Sequence, residues 1–206
     1  MNTKTPVDTT ESVLMKRGRT LATYRNLFLL FKTTIEQNKQ SYDLSSLILP
    51  NEGKSEWQAA CRRTCDLQIR RWAEYGVKQD VYCANANSYM YRVGDPSKPT
   101  ELEHVIPNSK TIPQYMANKA SVFDLLFAPM CKVAKPEGKM LKGSFVTGGE
   151  DFEKPFMRYS EAGITTPIYT WSGLLIDPKT WTLAQHREHV IWTHPIWGVL
   201  VNEFST

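Results

Sequence analysis

Two long stretches in the N-terminal part of the chain repeat apolar residues at three- and four-residue steps, the spacing that places side chains on one face of an α-helix. The first stretch covers residues 11–38 and the second covers residues 55–76. Turn-forming residues at 42–53 separate them, and Gly76 stands where a C-terminal cap would end the second. The pattern therefore predicts two N-terminal helices, each with one buried face.

The rest of the chain combines short extended patterns with loops. Residues that favour strands recur between 77 and 94, and a largely apolar run follows at 122–131. Asp177 directly before Pro178 is typical of a helix start, and the pattern predicts a helix from there to about residue 192. We therefore expect an α+β protein that is mainly helical with a small antiparallel β-hairpin.

Composition bounds the class of protein. The chain has 206 residues, of which 41% are hydrophobic, and its formal net charge is +4. This composition supports a buried core and excludes disordered, collagen-like and coiled-coil chains. Residues 1–10 are polar and predict a flexible tail, whereas residues 11–206 predict a single domain.

Hydropathy and cysteine spacing limit where in the cell the protein is expected. The longest apolar run, at 27–31, is far shorter than the about 20 residues that span a bilayer, and the N-terminus lacks the apolar segment of a signal peptide. The four cysteines form no Cys-x-x-Cys pair. We expect a cytoplasmic, reducing location and no membrane partner.

Two short strings carry the strongest functional signal. Residues 103–109 have the sequence Glu-His-Val-Ile-Pro-Asn-Ser, and residues 124–132 have the sequence Asp-Leu-Leu-Phe-Ala-Pro-Met-Cys-Lys. The first string resembles the acidic-His-apolar-apolar-Pro signature of HNH (His-Me finger) endonucleases, and the second is similar to the second strand of that motif. The resemblance implies a ββα-metal core at about 98–142, within which a β-hairpin and a following helix hold one divalent metal.

The resemblance also implies roles for individual residues. His104 would be the general base that activates water, and Glu103 the first ligand of Mg²⁺ or Mn²⁺. Asn118, or else Asn108, would orient the base. These roles suit the residue types, because histidine titrates near neutral pH and carboxylates are the ligands that magnesium prefers. Since neighbouring strand residues face opposite sides, Glu103 and His104 need a bend or bulge to reach one site.

The last metal ligand departs from the family pattern. In the family a His or Asn near the start of the helix completes the site, but residues 132–139 contain neither. Glu137 is the nearest candidate ligand, and Asp124 is the second choice. Cys131 has no partner two residues away, so the structural zinc of some relatives is not expected.

Basic residues supply candidate contacts to a nucleic-acid backbone. The second predicted helix carries Arg62, Arg63, Arg70 and Arg71, and the second string is followed by Lys132, Lys135 and Lys139. One guanidinium group can donate two parallel hydrogen bonds to the oxygens of a phosphate. A solvated helix face explains the arginines equally well. We expect DNA as the partner.

A second metal site is conceivable near the C-terminus. His186, His189 and His194 lie close together in the sequence, and histidines three residues apart share a helix face. The same segment also fits an amphipathic helix that packs its aromatic residues on the protein body. The second interpretation is the stronger one.

These observations favour a metal-dependent nuclease that hydrolyses DNA phosphodiester bonds with a histidine base. Two alternatives stay open: an inactive HNH-like protein that binds nucleic acid, and a structural or assembly protein whose six Trp and nine Tyr serve interfaces. The sequence contains no P-loop, dinucleotide fingerprint or serine-hydrolase elbow. It leaves the oligomeric state undecided.

Overall fold

The computed structural model describes residues 21–78, 90–94, 100–141 and 152–193. Helix α1 covers Leu21–Ile48 and helix α2 covers Asn51–Lys78, so the expectation of two N-terminal helices is confirmed over this part of the chain. The predicted tail at 1–10 and the predicted helical residues 11–20 lie outside the described residues.

Helix α1 extends further toward its C-terminus than predicted, and α2 is longer than predicted at both ends. The loop expected at 42–53 shrinks to Leu49 and Pro50. Pro50 restricts the backbone of the residue before it, which ends α1 at this point. The prediction that Gly76 caps α2 is wrong, since the helix continues to Lys78.

Helices α1 and α2 pack against each other through the residues that the periodicity selected. In α2 the side chains of Cys61, Cys65, Ile69 and Trp72 are buried, whereas Trp57 is half exposed. Phe28 of α1 meets the Trp72 ring edge to face with 5.8 Å between ring centroids. Such aromatic pairs add about 1 kcal/mol beyond the burial of apolar area.

The described residues contain five short strands in one sheet: β1 is Met90–Val93, β2 is Thr100–His104, β3 is Met130–Ala134, β4 is Ile168–Thr170 and β5 is Leu175–Ile176. Their order across the sheet is β2-β3-β1-β4-β5. Strand β1 runs parallel to β3, and the other neighbouring strands are antiparallel. The α+β class is therefore confirmed, and the predicted hairpin has become part of a larger mixed sheet.

Five shorter helices complete the described structure: α3 is Asn108–Met116, α4 is Val122–Leu126, α5 is Lys135–Leu141, α6 is Met157–Glu161 and α7 is Leu183–Thr193. The second strand implied at 124–132 is only partly correct, because Val122–Leu126 is helical and the strand begins at Met130. Ser121 starts α4 through a capping box with Asp124.

The C-terminal helix begins later than predicted. Asp177 accepts hydrogen bonds from the backbone N–H of Lys179 and the hydroxyl of Thr180, and so closes a turn instead of capping a helix. Thr182 and Gln185 exchange hydrogen bonds at the start of α7, which is the arrangement of a capping box. The helix start therefore depends on the Thr-Gln pair, which the sequence analysis did not select.

The sheet has one core on each face. Met130 belongs to the core that α1, α2, α3 and α4 form, and Leu102 packs against the same core. Tyr91, Cys131 and Val133 belong to the core on the other face. Helix α5 follows β3 directly and packs on both β2 and β3. Strand β2 is an edge of the sheet, and its last residue, His104, lies where the sheet meets the helices.

Candidate functional site

An open cavity of about 560 Å³ lies between α2, the end of β2 and the start of α3. We call it the arginine cavity. Its lining residues come from these three places in the chain: Arg62, Arg63, Asp66, Arg70, Leu102, Glu103, His104, Pro107, Asn108, Ser109, Ile112 and Pro113. It therefore contains the predicted base His104 together with three of the four predicted arginines.

Local sequence explains how these residues converge. Helix α2 places positions 62, 66 and 70 at successive four-residue steps, so their side chains share one face. Strand β2 ends at His104, and the buried residues Val105 and Ile106 anchor the chain before Pro107. Helix α3 then begins at Asn108, with no side-chain hydrogen bond capping its first turn.

His104 is largely withdrawn from solvent at the cavity wall. Its Nε2 is buried, and the described residues provide it with no hydrogen-bond partner. The pKa of His104 is lowered to about 4, chiefly by burial and then by the positive charge of Arg70, and the carboxylate of Asp66 opposes both. The imidazole is therefore neutral at pH 7.

Asp66 of α2 links this helix to α3 at the cavity. One carboxylate oxygen accepts a hydrogen bond of 2.8 Å from the Asn108 amide, and the other accepts one of 2.8 Å from Nε of Arg70. Asn108 is only 6% exposed, so this amide is held firmly. Of the two asparagines considered for orienting the base, Asn108 lies in the cavity. Asn118 is exposed beyond the end of α3 with a positive φ of 59° and does not line it.

The predicted basic residues divide into two groups. Arg62, Arg63 and Arg70 line the cavity, and Arg62 also contacts Tyr42 by a 3.4 Å hydrogen bond to its hydroxyl. Arg71 is exposed and does not line the cavity. The lysines are also separate from it: Lys132 of β3 lies 5.0 Å over the Trp171 ring, and Lys135 and Lys139 are exposed on α5.

The regular register of β2 places Glu103 and His104 on opposite faces of the sheet. Glu103 pairs with Cys131 and His104 pairs with Met130, with no bulge between them. An oxygen of Glu103 accepts a 2.7 Å hydrogen bond from the guanidinium of Arg158. Arg158 is 2% exposed and also donates to the Val105 carbonyl at 3.0 Å. Glu103 therefore forms an ion pair with the buried guanidinium of Arg158.

The other two predicted metal ligands also have structural contacts. Glu137 accepts hydrogen bonds from the backbone N–H of Ala134 and from the Thr166 hydroxyl, at 3.2 and 2.6 Å. Asp124 takes part in the capping box of α4 and pairs with Arg187 at 2.8 Å. The described residues contain no group of three or more His, Cys, Asp or Glu placed to hold a metal ion.

The three carboxylates therefore do not fit a shared metal site in this arrangement. Each has a different partner, and neither Glu137 nor Asp124 lines the arginine cavity. A hard cation needs several oxygen ligands directed at one point, whereas Glu103 is paired with a guanidinium. Dependence on Mg²⁺ or Mn²⁺ stays a prediction that comes from the resemblance.

The C-terminal histidines occupy a different environment. The carbonyl of Phe127 can only accept, so Nε2 of His186 donates to it at 2.7 Å. Nδ1 then accepts from the Tyr91 hydroxyl at 2.8 Å, and that hydroxyl accepts from the Trp181 indole at 3.1 Å. Burial lowers the pKa of His186 to about 4. Because both ring nitrogens are occupied, this histidine has no lone pair for the zinc that sequence spacing allowed; His194 lies outside the described residues.

The sequence analysis did not select two residues that organise the site. Asp66 stands four residues after Arg62 and four before Arg70, a helical spacing that would have revealed it. Arg158 lies 55 positions after Glu103, and nothing local marks it as a partner.

Comparisons with known proteins add no assignment. No protein-family model matches the sequence, and the comparisons with curated proteins and with solved structures give no match. None of the helices in the described ranges is both long enough and apolar enough to cross a membrane.

Proposed function

We propose that this protein binds nucleic acid and holds a backbone phosphate in the arginine cavity. The observation that supports this proposal is the convergence of Arg62, Arg63 and Arg70 with His104 around one open cavity. Guanidinium groups present planar pairs of donors that match phosphate oxygens, and charge-assisted bonds of this kind are about twice as strong as neutral ones.

Asp66 supports the same proposal by fixing the geometry of the cavity. It holds Arg70 through Nε, and the terminal amino groups of that guanidinium are then the donors that a phosphate would take. It also holds Asn108 at the start of α3, where the backbone N–H groups of the first turn favour an anion. Asp66 therefore orients two of the cavity's donor residues, Arg70 and Asn108.

The binding proposal is tested by a matched pair of arginine variants. Arg63 and Arg71 are exposed on the same helix, but only Arg63 lines the cavity. We expect Arg63→Gln to weaken binding of a labelled oligonucleotide about tenfold, measured by fluorescence polarisation, and Arg71→Gln to leave it unchanged. The dependence of log affinity on log salt should also fall by about 0.7 to 0.9 for Arg63→Gln. Equal behaviour of the two variants would contradict the proposal.

A second proposed function is hydrolysis of the bound phosphodiester, and His104 is the observation that favours it. His104 lines the same cavity as the three arginines, and its buried Nε2 has no partner among the described residues. As general base, Nε2 would take the proton from the water that attacks phosphorus, while the bond from phosphorus to one sugar oxygen breaks and that oxygen takes a proton from solvent. This is the role that the resemblance to HNH nucleases implies for this position.

The hydrolysis proposal is tested by plasmid nicking in the presence of Mg²⁺, Mn²⁺ or EDTA. We expect metal-dependent nicking by the folded wild type and none by a folded His104→Ala variant. His189→Ala is the control, because His189 lies outside the arginine cavity. If the wild type binds DNA but nicks nothing with either metal, the hydrolysis proposal fails and the binding proposal stands.

A further inference from the structure

The arginine cavity has two chemically different sides. All the lining residues from α2 are charged: Arg62, Arg63, Asp66 and Arg70. The apolar lining comes instead from β2, through Leu102, from Pro107 directly before α3, and from Ile112 and Pro113 within α3. A ligand that fills this space must therefore present an anion on one side and an uncharged, weakly polar surface on the other.

The size of the cavity limits the ligand further. Its volume of about 560 Å³ lies within the range of pockets that enclose a small molecule. A duplex backbone crossing the surface would place a phosphate near the arginines but keep its bases stacked inside the helix. Such a ligand would leave the apolar side of the cavity in contact with water.

We propose that the arginine cavity binds a single nucleotide unit, with its phosphate against the arginines and its base and sugar against Pro107, Ile112 and Pro113. This inference rests on the proposed function and specifies its substrate class: single-stranded nucleic acid, or a strand end whose last nucleotide is unstacked. Unstacking costs least where the base is already unpaired, so single strands are preferred over duplexes.

Polar residues also line the cavity: His104, Asn108 and Ser109. Nε2 of His104 is buried and lacks a partner among the described residues, so a ligand in the cavity would bond it only after the imidazole turns toward the cavity. Ser109 follows Asn108 in the first turn of α3. These residues would supply polar contacts to the bound nucleotide beside those of the arginines.

Competition experiments on the unmodified protein test this inference without any risk of misfolding. The probe is a fluorescent single-stranded oligonucleotide, and the competitors are thymidine 5′-monophosphate, deoxyribose 5-phosphate, thymidine and inorganic phosphate. We expect the monophosphate to displace the probe at concentrations about tenfold lower than deoxyribose 5-phosphate or inorganic phosphate, because these lack the base. We also expect the single strand to bind about tenfold more tightly than the duplex of the same sequence.

The outcomes separate this inference from the proposed function. If the oligonucleotide binds through Arg63 but inorganic phosphate competes as well as the nucleotide, or the duplex binds equally well, the nucleotide pocket is wrong and nucleic-acid binding stands. If no oligonucleotide binds but direct calorimetric titration shows thymidine 5′-monophosphate binding more tightly than inorganic phosphate, the pocket is supported and the proposed function fails. Loss of nucleotide binding in Arg63→Gln, with binding retained in Arg71→Gln, would place the ligand in the arginine cavity.

Discussion

Two histidines with similarly lowered pKa values, the buried His186 and the half-buried His104, occupy opposite kinds of site. His186 donates to the Phe127 carbonyl and accepts from the Tyr91 hydroxyl, so its polarity is satisfied inside the protein. His104 has a pKa lowered to the same value of about 4, but its Nε2 has no partner within the described structure and the residue lines a cavity. The pKa therefore does not distinguish the two, whereas the hydrogen bonding does: it makes His186 part of the fold, and it leaves His104 as the histidine for which we propose a ligand.

The largest expected effect comes from replacing each histidine by leucine, a residue of comparable size. We expect His186→Leu to lower the free energy of unfolding by about 4 kcal/mol, because Phe127 and Tyr91 are left with unpaired buried groups. His104→Leu should change it by less than about 1 kcal/mol, since no hydrogen bond of Nε2 is lost. Urea unfolding measures both values.

The two histidine variants should also differ in ligand binding. His104→Leu should weaken binding of the oligonucleotide, whereas any His186→Leu protein that remains folded should bind normally. A large loss of stability in His104→Leu would show that this histidine is a structural residue like His186. The comparison between the two sites would then fail.

The next effect is the dependence of stability on pH. The folded-state pKa of His186, about 4, is below the unfolded value of about 6.5, so the unfolded chain binds the proton first as the pH falls. The contribution of His186 is complete above pH 6.5 and is lost between about 6.5 and 4, for a total of about 3 kcal/mol. Below pH 4 both states are protonated, and this loss ends.

Urea unfolding of the wild type and His186→Leu across this pH range measures that contribution, because carboxylates that titrate in the same range are common to both proteins. The leucine variant should show a shallower loss of stability with falling pH. Direct titration of the imidazole by NMR provides an independent check. A midpoint near 6.5 for His186 in the folded protein would contradict the predicted mechanism.

The effect of intermediate size concerns the ion pair on the other face of β2. We expect Glu103→Gln to destabilise the protein by about 2 kcal/mol, because the buried guanidinium of Arg158 loses its counter-charge. Glu101→Gln is the matched control: it is the same change two residues earlier on the same sheet face. If Glu103 were instead a metal ligand, its substitution would change the effect of Mg²⁺ on thermal stability, and that comparison distinguishes the two roles.

The sequence predicted those features that depend on local pattern. The apolar stripe of Cys61, Cys65, Ile69 and Trp72 identified a buried helix face because residues three and four apart share a side. The apolar run at 122–131 was ambiguous, since short buried helices and strands have similar composition, and a capping box at Ser121 made its first part helical. Local pattern also identified His104 and the arginines of α2 as candidates for one function.

Tertiary contacts determined the rest of the site. The sequence contains no signal that brings Arg62, Arg63 and Arg70 to the end of β2, because this depends on how α2 packs beside α3. The regular register of β2 separates Glu103 from His104, and only a bulge would have united them. The partner of Glu103 is an arginine from α6, far away in the sequence. Side-chain identity therefore indicated chemistry, and the pairing of strands and helices determined which groups meet.

The smallest effects distinguish the two asparagines that were candidates for orienting the base. Asn108 is buried and donates to a carboxylate, so Asn108→Ala should cost about 1.5 kcal/mol of stability and weaken oligonucleotide binding by releasing Asp66. Asn118 has a left-handed backbone conformation in an exposed turn, where glycine is at least as well tolerated. Asn118→Gly should therefore change stability by less than about 0.5 kcal/mol and leave binding unaltered. Urea unfolding and fluorescence polarisation on both variants test these expectations. A binding defect in Asn118→Gly alone would place the functional asparagine at the end of α3, away from the arginine cavity.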